Sequence, residues 1–407
     1  MLRAMSADPL AAAVPGSVIP SAVRARDLAA LPYRRVELDW LRLAAIGGVF
    51  VFHTGRFFDP WEWHVKNATV HPWLVVPFDI FTTWAMPLLF VISGAGVSLS
   101  LRRRDVRNYL RERMLRLLVP LAVGVFTHVL WQVYLERVTH GQFAGSFLEF
   151  VPHYFEGLYG YGGNFAWSGL HLWYLELLFV LSVALLPVFL WTGTGAGRHA
   201  LEAVCGFLAG PGGPFLLAVP IALAVALPAP TSFWGVRSWG GWNILGHACF
   251  FAAGFLVASD ARLYESVRRH WIAATVVAAA IGGPLSVVFI GAPEPVHGSI
   301  RAWLLNGGMA LVGWSAVLAS LGGAIAGLST VRTPFLTYAS EAVLPFYILH
   351  QTVILTIGWV VVRWAIPDLA RWAVIAVVSL AATVAGCALV RRVALLRVLF
   401  GMKALRG

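Results

Sequence analysis

Long apolar runs separated by short polar connections set the plan of this chain. Ten segments are long enough to cross a bilayer at about 20 residues per crossing. They lie near residues 38–58, 74–100, 113–135, 170–191, 214–229, 242–259, 271–292, 302–328, 342–366 and 371–390. The pattern predicts an all-α, polytopic membrane protein with about ten transmembrane helices. The fifth segment is short and interrupted by Pro220 and Pro228. Pro87 and Pro120 fall inside other segments without excluding helix, because neighbours can satisfy the carbonyls that a proline frees. Residues 1–33 are rich in Ala, Pro and Arg with no continuous apolar core, so they read as a disordered cytoplasmic leader and not as a signal peptide. Residues 34–400 then form one transmembrane domain, and 401–407 a cytoplasmic tail.

Composition agrees with that plan. Of 407 residues 59% are hydrophobic and 12% charged, and the mean hydropathy is +0.76. No soluble domain needs so much apolar material. Basic residues supply the orientation. With the N-terminus inside, only Arg56, Lys66, Arg137, Arg237, Arg301, Arg363 and Arg371 fall on outer connections, leaving 23 of 30 on the cytoplasmic side. Ten spans return the C-terminus to the cytoplasm. The net charge of +11 is therefore mostly topology; no nucleic-acid-binding motif accompanies it. Arginine outnumbers lysine 28 to 2, which together with abundant Ala and Gly suggests a GC-rich bacterial genome and a place in the bacterial inner membrane. Cys205, Cys249 and Cys387 sit in apolar segments at unrelated spacings, so packing accounts for them.

The first segment carries ionisable groups where lipid would exclude them. In LDWLRLAAIGGVFVFHTGRFF, Arg42 and His53 are eleven apart and fall roughly 20° from each other around a helix. Asp39 is three before Arg42 and lies roughly 40° from His53. The three form one stripe, which must face a protein interior or a wet cavity.

Other candidates are sorted by position. The connection SLRRRDVRNYLRERMLRLLVP holds seven arginines, of which Arg113 and Arg116 share a face at the start of the third span. Guanidinium forks suit phosphates; membrane anchoring, with Glu112 pairing Arg116, is the alternative. His350 lies mid-segment in AVLPFYILHQTVIL, and His171 opens the fourth segment above Glu176. Either histidine could serve the chemistry or simply hydrogen-bond a neighbouring helix. Ser93 stands beside Gly94, which with Ser98 keeps a spacing suited to close helix packing. His64, His71, His140, His153 and His297 fall in outer loops and call for no special role. Those loops are aromatic, with Trp61, Trp63 and Trp73 in the first and Tyr154, Phe155, Tyr159, Tyr161, Phe165, Trp167 and Trp173 within 143–173. Rings with few charges suit stacking on an uncharged sugar, beyond what an interfacial belt explains.

The blocks RRVELDWLRLAAIGGVFVFHTGRFF, MPLLFVISGAGVSLSLRRRDVRNYLRERMLRLLVPL, GLHLWYLELLF and EAVLPFYILHQTVI together resemble the acyltransferase-3 family of bacterial membrane proteins. Arginine, ten residues, histidine matches Arg42 and His53; arginine, two residues, arginine matches Arg113 and Arg116. The stretches FDPWEWHVKN and WQVYLERVTHGQFAGSFLEFVPHYFEGLYGYGGNFAW further resemble the glucan-biosynthesis branch, which is associated with succinylating periplasmic glucans. The resemblance implies transfer of an acyl group, acetyl or succinyl, from cytoplasmic acyl-CoA to a hydroxyl of an extracytoplasmic glycan. It implies roles for His53, Arg42, Arg113 and Arg116; with the candidates sorted above, His53, Asp39 and His350 are expected in catalysis, Arg42, Arg113, Arg116 and Ser93 on the acyl-CoA, and His171, Glu176 and Trp173 on the acceptor. The partners are then membrane lipid and glycan, with no nucleic acid.

The residue chemistry is compatible. His53 lies roughly 21 Å along the helix from Asp39, within a core about 30 Å thick, where two substrates entering from opposite sides could meet. A neutral histidine there can accept the proton of an attacking hydroxyl. No HxxxD or HxxxxD pattern occurs, and no histidine pair has helical spacing for a metal, so none is expected. A transporter or flippase for a sugar or lipid-linked solute is the alternative; it would show inverted repeats or paired broken helices.

Overall fold

The apolar runs become helices, and the described residues contain no named strand. The computed structural model describes residues 35–289 and 295–403, so the 1–33 leader and residues 404–407 of the tail lie outside the described residues. The first helices are α1 (Val36–Gly55), α2 (Val75–Leu101), α3 (Val106–Arg113), α4 (Val119–Phe126), α5 (His128–Thr139) and α6 (Phe147–His153). A central group follows: α7 (Trp173–Ala184), α8 (Leu186–Trp191), α9 (Gly195–Leu208), α10 (Ala218–Ala226) and α11 (Ile244–Ser259). The last are α12 (Ala261–Phe289), α13 (Ile300–Leu328), α14 (Pro334–Val361), α15 (Asp368–Arg392) and α16 (Ala394–Leu399).

Starts are marked by side-chain caps. The Ser299 and Thr333 hydroxyls accept the amides of Ala302 (3.1 Å) and Leu336 (3.0 Å), and Pro334 follows at the first helical position, where it has no amide to waste.

Among the described residues four stretches are long and apolar enough to cross a membrane: Pro72–Leu101, Ile300–Leu328, Pro334–Val361 and Asp368–Arg392. Three further pairs qualify if each bent pair is one span, giving up to seven. That is fewer than the expected ten, for physical reasons. α1 has the length, 20 residues, but carries Glu37, Asp39, Arg42 and His53 in place of apolar groups. The fourth segment is broken at Leu185, between α7 and α8. The fifth is the nine-residue α10, which follows α9 across a 117° bend. The third begins earlier than expected, at Val106, because Asp105 caps it by accepting the Asn108 amide at 2.7 Å. Arg107, Arg111 and Arg113 therefore ride on a helix, not in a loop. Between α3 and α4 the turn widens to a π-helix over Met114–Leu118, which holds Arg116.

Close packing follows the small residues. A Cβ on Gly94 of α2 would stand 1.8 Å from the Phe251 carbonyl oxygen of α11, and one on Gly254 would stand 1.9 Å from that of Val91. Ser98 and Ser259 hydrogen-bond across the same seam at 2.9 Å. The Gly94–Ser98 spacing thus does mark a helix contact. Pro87 removes the amide that would bond the Thr83 carbonyl, and Trp242 Nε1 donates to that oxygen instead, at 3.2 Å.

Two ends result. Loops 56–74, 140–170, 227–243 and 362–367 gather at one, the aromatic end. Residues 102–105, 329–333 and 393–403 gather at the other, the arginine-rich end.

Candidate functional site

Near the aromatic end a cavity of about 310 Å³ opens between α1, α2, α14 and the loops. His53 lines it from the last turn of α1 and Gln351 from the middle of α14; Trp63 and His64 come from the first loop, and Tyr159, His171 and Trp173 from the segment leading into α7.

Hydrogen-bond polarity fixes the two central histidines. The Tyr347 carbonyl can only accept, so His350 Nδ1 donates to it, at 2.7 Å. In the neutral ring His350 Nε2 is then an acceptor, and His53 Nδ1 donates to it at 2.9 Å. His53 Nε2 is left as the unprotonated nitrogen, on a ring that lines the cavity. The two imidazoles are nearly parallel, 5.0 Å apart at 8°, and Phe346 covers the far face of His350 at 6.0 Å. His350 itself is fully buried and does not reach the cavity.

His171 arrives through a strained turn. Gly169 (φ 74) and Leu170 (φ 53) are both left-handed; for Leu170 that conformation costs about 1–2 kcal/mol. The turn is tied to α14 from both sides: His171 Nε2 donates to the Ile348 carbonyl at 3.1 Å, and the Tyr347 hydroxyl donates to the His171 carbonyl. His171 Nδ1 is buried and has no partner among the described residues.

The first loop is held by a buried carboxylate. Asp59 accepts from Arg56 and from Lys66 (2.9 Å) while fully buried. Burial draws the Lys66 ammonium below its ordinary pKa, and Asp59 offsets part of that. This clamp carries Trp63 and His64, four and five residues on from Asp59, to the cavity. Trp63 stacks on His53 at 6.2 Å.

At the arginine-rich end, Arg42 pairs with Asp39 at 3.3 Å. Arg42, Arg104 and Arg113 lie near enough that all three charges act on Arg116. Glu112 accepts from Arg104 and, at 3.4 Å, from Arg116. Arg113 lies over the Tyr109 ring at 5.1 Å. The charges of Arg42 and Arg113 also reach Tyr174, whose hydroxyl contacts Ser93 at 2.8 Å.

The fold thus brings His53, His171 and Trp173 together at the cavity with His350 behind His53, and gathers Arg42, Arg113 and Arg116, with Ser93 against the Tyr174 hydroxyl. Asp39 stays with Arg42 and is not among the cavity-lining residues. Glu176 does not line the cavity either, and its Oε2 is buried with no partner among the described residues. Among the described residues no group of three or more His, Cys, Asp or Glu is arranged to hold a metal ion.

Sequence reading left His64, Glu136 and Gln351 without a role. His64 Nδ1 donates to Glu136, which also accepts from Tyr159 (2.8 Å) and Arg137 (3.1 Å). Burial, then the Glu136 charge, pushes the Tyr159 phenol well above its ordinary pKa, so it stays a donor. Gln132 and Glu136, four apart in an otherwise apolar segment, were the available signal.

The family model described as an acyltransferase domain matches residues 35–392. Among curated proteins, the glucans biosynthesis proteins C of Salmonella paratyphi B and Salmonella heidelberg are 25% identical over 158 residues, 37% of this chain and 37% of each relative. The chain therefore spans 37% of the length of these curated relatives. No solved structure matches it significantly. The chain belongs to the acyltransferase-3 family of membrane acyltransferases.

Proposed function

We propose that the protein moves an acetyl or succinyl group from cytoplasmic acyl-CoA to a hydroxyl of an extracytoplasmic glycan, with both termini in the cytoplasm of a bacterial cell and the domain in its inner membrane. The observation that carries this reading is the unprotonated His53 Nε2 at the cavity, set by the His53–His350–Tyr347 hydrogen-bond chain. A hydroxyl bound there gives its proton to His53 Nε2 while its oxygen attacks the thioester carbonyl. The carbon–sulfur bond breaks, and His53 returns the proton to the departing thiolate. His350 acts through His53, by holding the tautomer. Arg42, Arg113 and Arg116 suit the CoA phosphates, with Ser93 and Tyr174 next along the acyl chain's route. Trp63 and Trp173 suit the faces of a sugar ring. The printed names of the relatives, glucans biosynthesis proteins, favour a glucan as the acceptor. Asp39 serves by orienting Arg42, its partner.

A transporter of a sugar or lipid-linked solute is the second reading, favoured by the three bent helix pairs, at 41°, 110° and 117°. Chemistry separates the two. Purified protein given acetyl-CoA or succinyl-CoA should release CoA thiol and form an acyl ester only when a glycan is present. His53→Ala should lower that turnover by about two to four orders of magnitude while leaving acyl-CoA affinity intact. Near-normal transfer by the variant removes His53 from the role; no thiol release with any glycan returns the site to a transporter.

A further inference from the structure

In the polar network behind the cavity donors converge on Glu136, and Gln351 stands at the cavity end of the chain that leads to it. Arg137 and Tyr159 donate to Glu136, so Glu136 is a carboxylate acceptor, and His64 Nδ1 donates to it. His64 Nε2 in the neutral ring must accept, and the Gln351 amide nitrogen donates to it at 3.4 Å. The second hydrogen of that nitrogen goes to Gln132 Oε1 at 3.0 Å, while Gln132 Nε2 donates to Thr352 Oγ1 at 2.6 Å. Both amide hydrogens of Gln351 are therefore used inside the protein. What Gln351 keeps for the cavity is its carbonyl oxygen, a pure acceptor, one residue along α14 from His350.

We infer that Gln351 is the residue that positions the acceptor substrate: its Oε1 receives a hydrogen bond from a second hydroxyl, neighbouring the one that His53 deprotonates. The inference rests on the acyl-transfer reading above and names the acceptor class, a polyol with two adjacent hydroxyl groups, such as a sugar ring. His53 Nε2 and Gln351 Oε1 are both acceptors with no proton of their own to offer. A site of that polarity pairs with two O–H donors and offers nothing to an ether oxygen, which can only accept. The five-residue chain from Arg137 to Gln351 keeps the amide from rotating, which would present donors instead. An amide that serves only packing would need no such support from a buried carboxylate.

The experiment combines enzyme variants with deoxy acceptors. Methyl glucoside and its four monodeoxy analogues serve as probes, with acetyl-CoA and succinyl-CoA as donors. For the wild-type protein, loss of the one hydroxyl beside the acylated position should raise the acceptor KM about three- to tenfold, the value of one neutral hydrogen bond. Gln351→Met should raise the KM for intact methyl glucoside by a similar factor, and the same deoxy analogue should then show no further rise. Gln351→Glu, which keeps an oxygen towards the cavity, should retain the sensitivity to that hydroxyl. Calorimetric CoA affinity equal to wild type shows that each variant is folded; a Gln351→Met protein that fails this is replaced as the test by the Gln351→Glu comparison. Independent, additive penalties from the variant and the missing hydroxyl overturn the role of Gln351, as does loss of sensitivity in Gln351→Glu. Absence of transfer to any of the five sugars by wild type is a different result: it defeats the glycan reading itself, and this inference with it.

Discussion

Arg113 and Arg116 stand three residues apart on either side of the boundary between α3 and the π-turn, and their surroundings differ. Arg116 shares Glu112 with Arg104, whereas Arg113 lies over Tyr109. If both grip CoA phosphates, either change to Ala should weaken CoA binding by about 1.5–3 kcal/mol, the worth of a charge-assisted contact. Lysine should rescue only in part, because it restores the charge and not the fork. The loss should shrink at high salt, since the Arg116 side chain is about half exposed at 48%. Calorimetry on the solubilised protein measures this directly, and unchanged affinity in Arg113→Ala/Arg116→Ala returns the pair to membrane anchoring. Single-helix relations of this kind were legible in the sequence. The 100° step of a helix fixes Asp39 against Arg42, and it places His53 on their stripe. What joins His53 to His350 was not legible, because 297 residues separate them and only the packing of α14 on α1 brings the rings together. The same holds for His64 and Glu136, 72 apart, where a histidine in an aromatic loop gave no hint of a buried carboxylate partner.

The helices were legible as apolar runs, but their breaks were not. A hydropathy pattern reads 113–135 as one span; it cannot register that Met114–Leu118 widens into a π-turn or that Leu185 interrupts the fourth segment. Those features depend on which neighbour satisfies a freed carbonyl, as Trp242 does for Thr83. The first loop is the clearest case of an element built by contacts far from any regular pattern. Asp59 is fully buried against Arg56 and Lys66, whose ammonium also donates to the Trp61 carbonyl at 3.0 Å. Asp59→Ala would leave two cations without their shared anion, at a cost of about 3–5 kcal/mol where the site stays dry, and less because Lys66 is partly open to water. The expected outcome is a lower melting temperature in detergent together with a raised acceptor KM, because the loop carries Trp63 and His64. Donor affinity should not change. A variant as stable as wild type would mean that the backbone hydrogen bonds of Lys66 suffice to hold the loop.

At the scale of the whole molecule the question is which end faces the cytoplasm. The arginine cluster and the cavity lie at opposite ends, and α1 runs between them with Arg42 near its start and His53 in its last turn. A cytoplasmic CoA donor requires the arginine-rich end inside, the side on which the positive-inside rule also expects the basic connections of the chain. Charge counting and the proposed mechanism make the same demand on orientation. Single cysteines can test it in intact cells with an impermeant thiol reagent. Cys205 and Cys387 are buried and Cys249 half-buried, so replacing Cys249 by Ala leaves a quiet background. Gly162→Cys, in an exposed turn of the aromatic end, should be modified from outside, while Arg104→Cys should react only after the cells are opened. The reverse pattern would set the guanidinium cluster outside, away from any cytoplasmic thioester, and the cavity inside, away from an extracytoplasmic glycan. Acyl transfer across the membrane by this route would then fail as a whole, however well His53 and His350 are aligned.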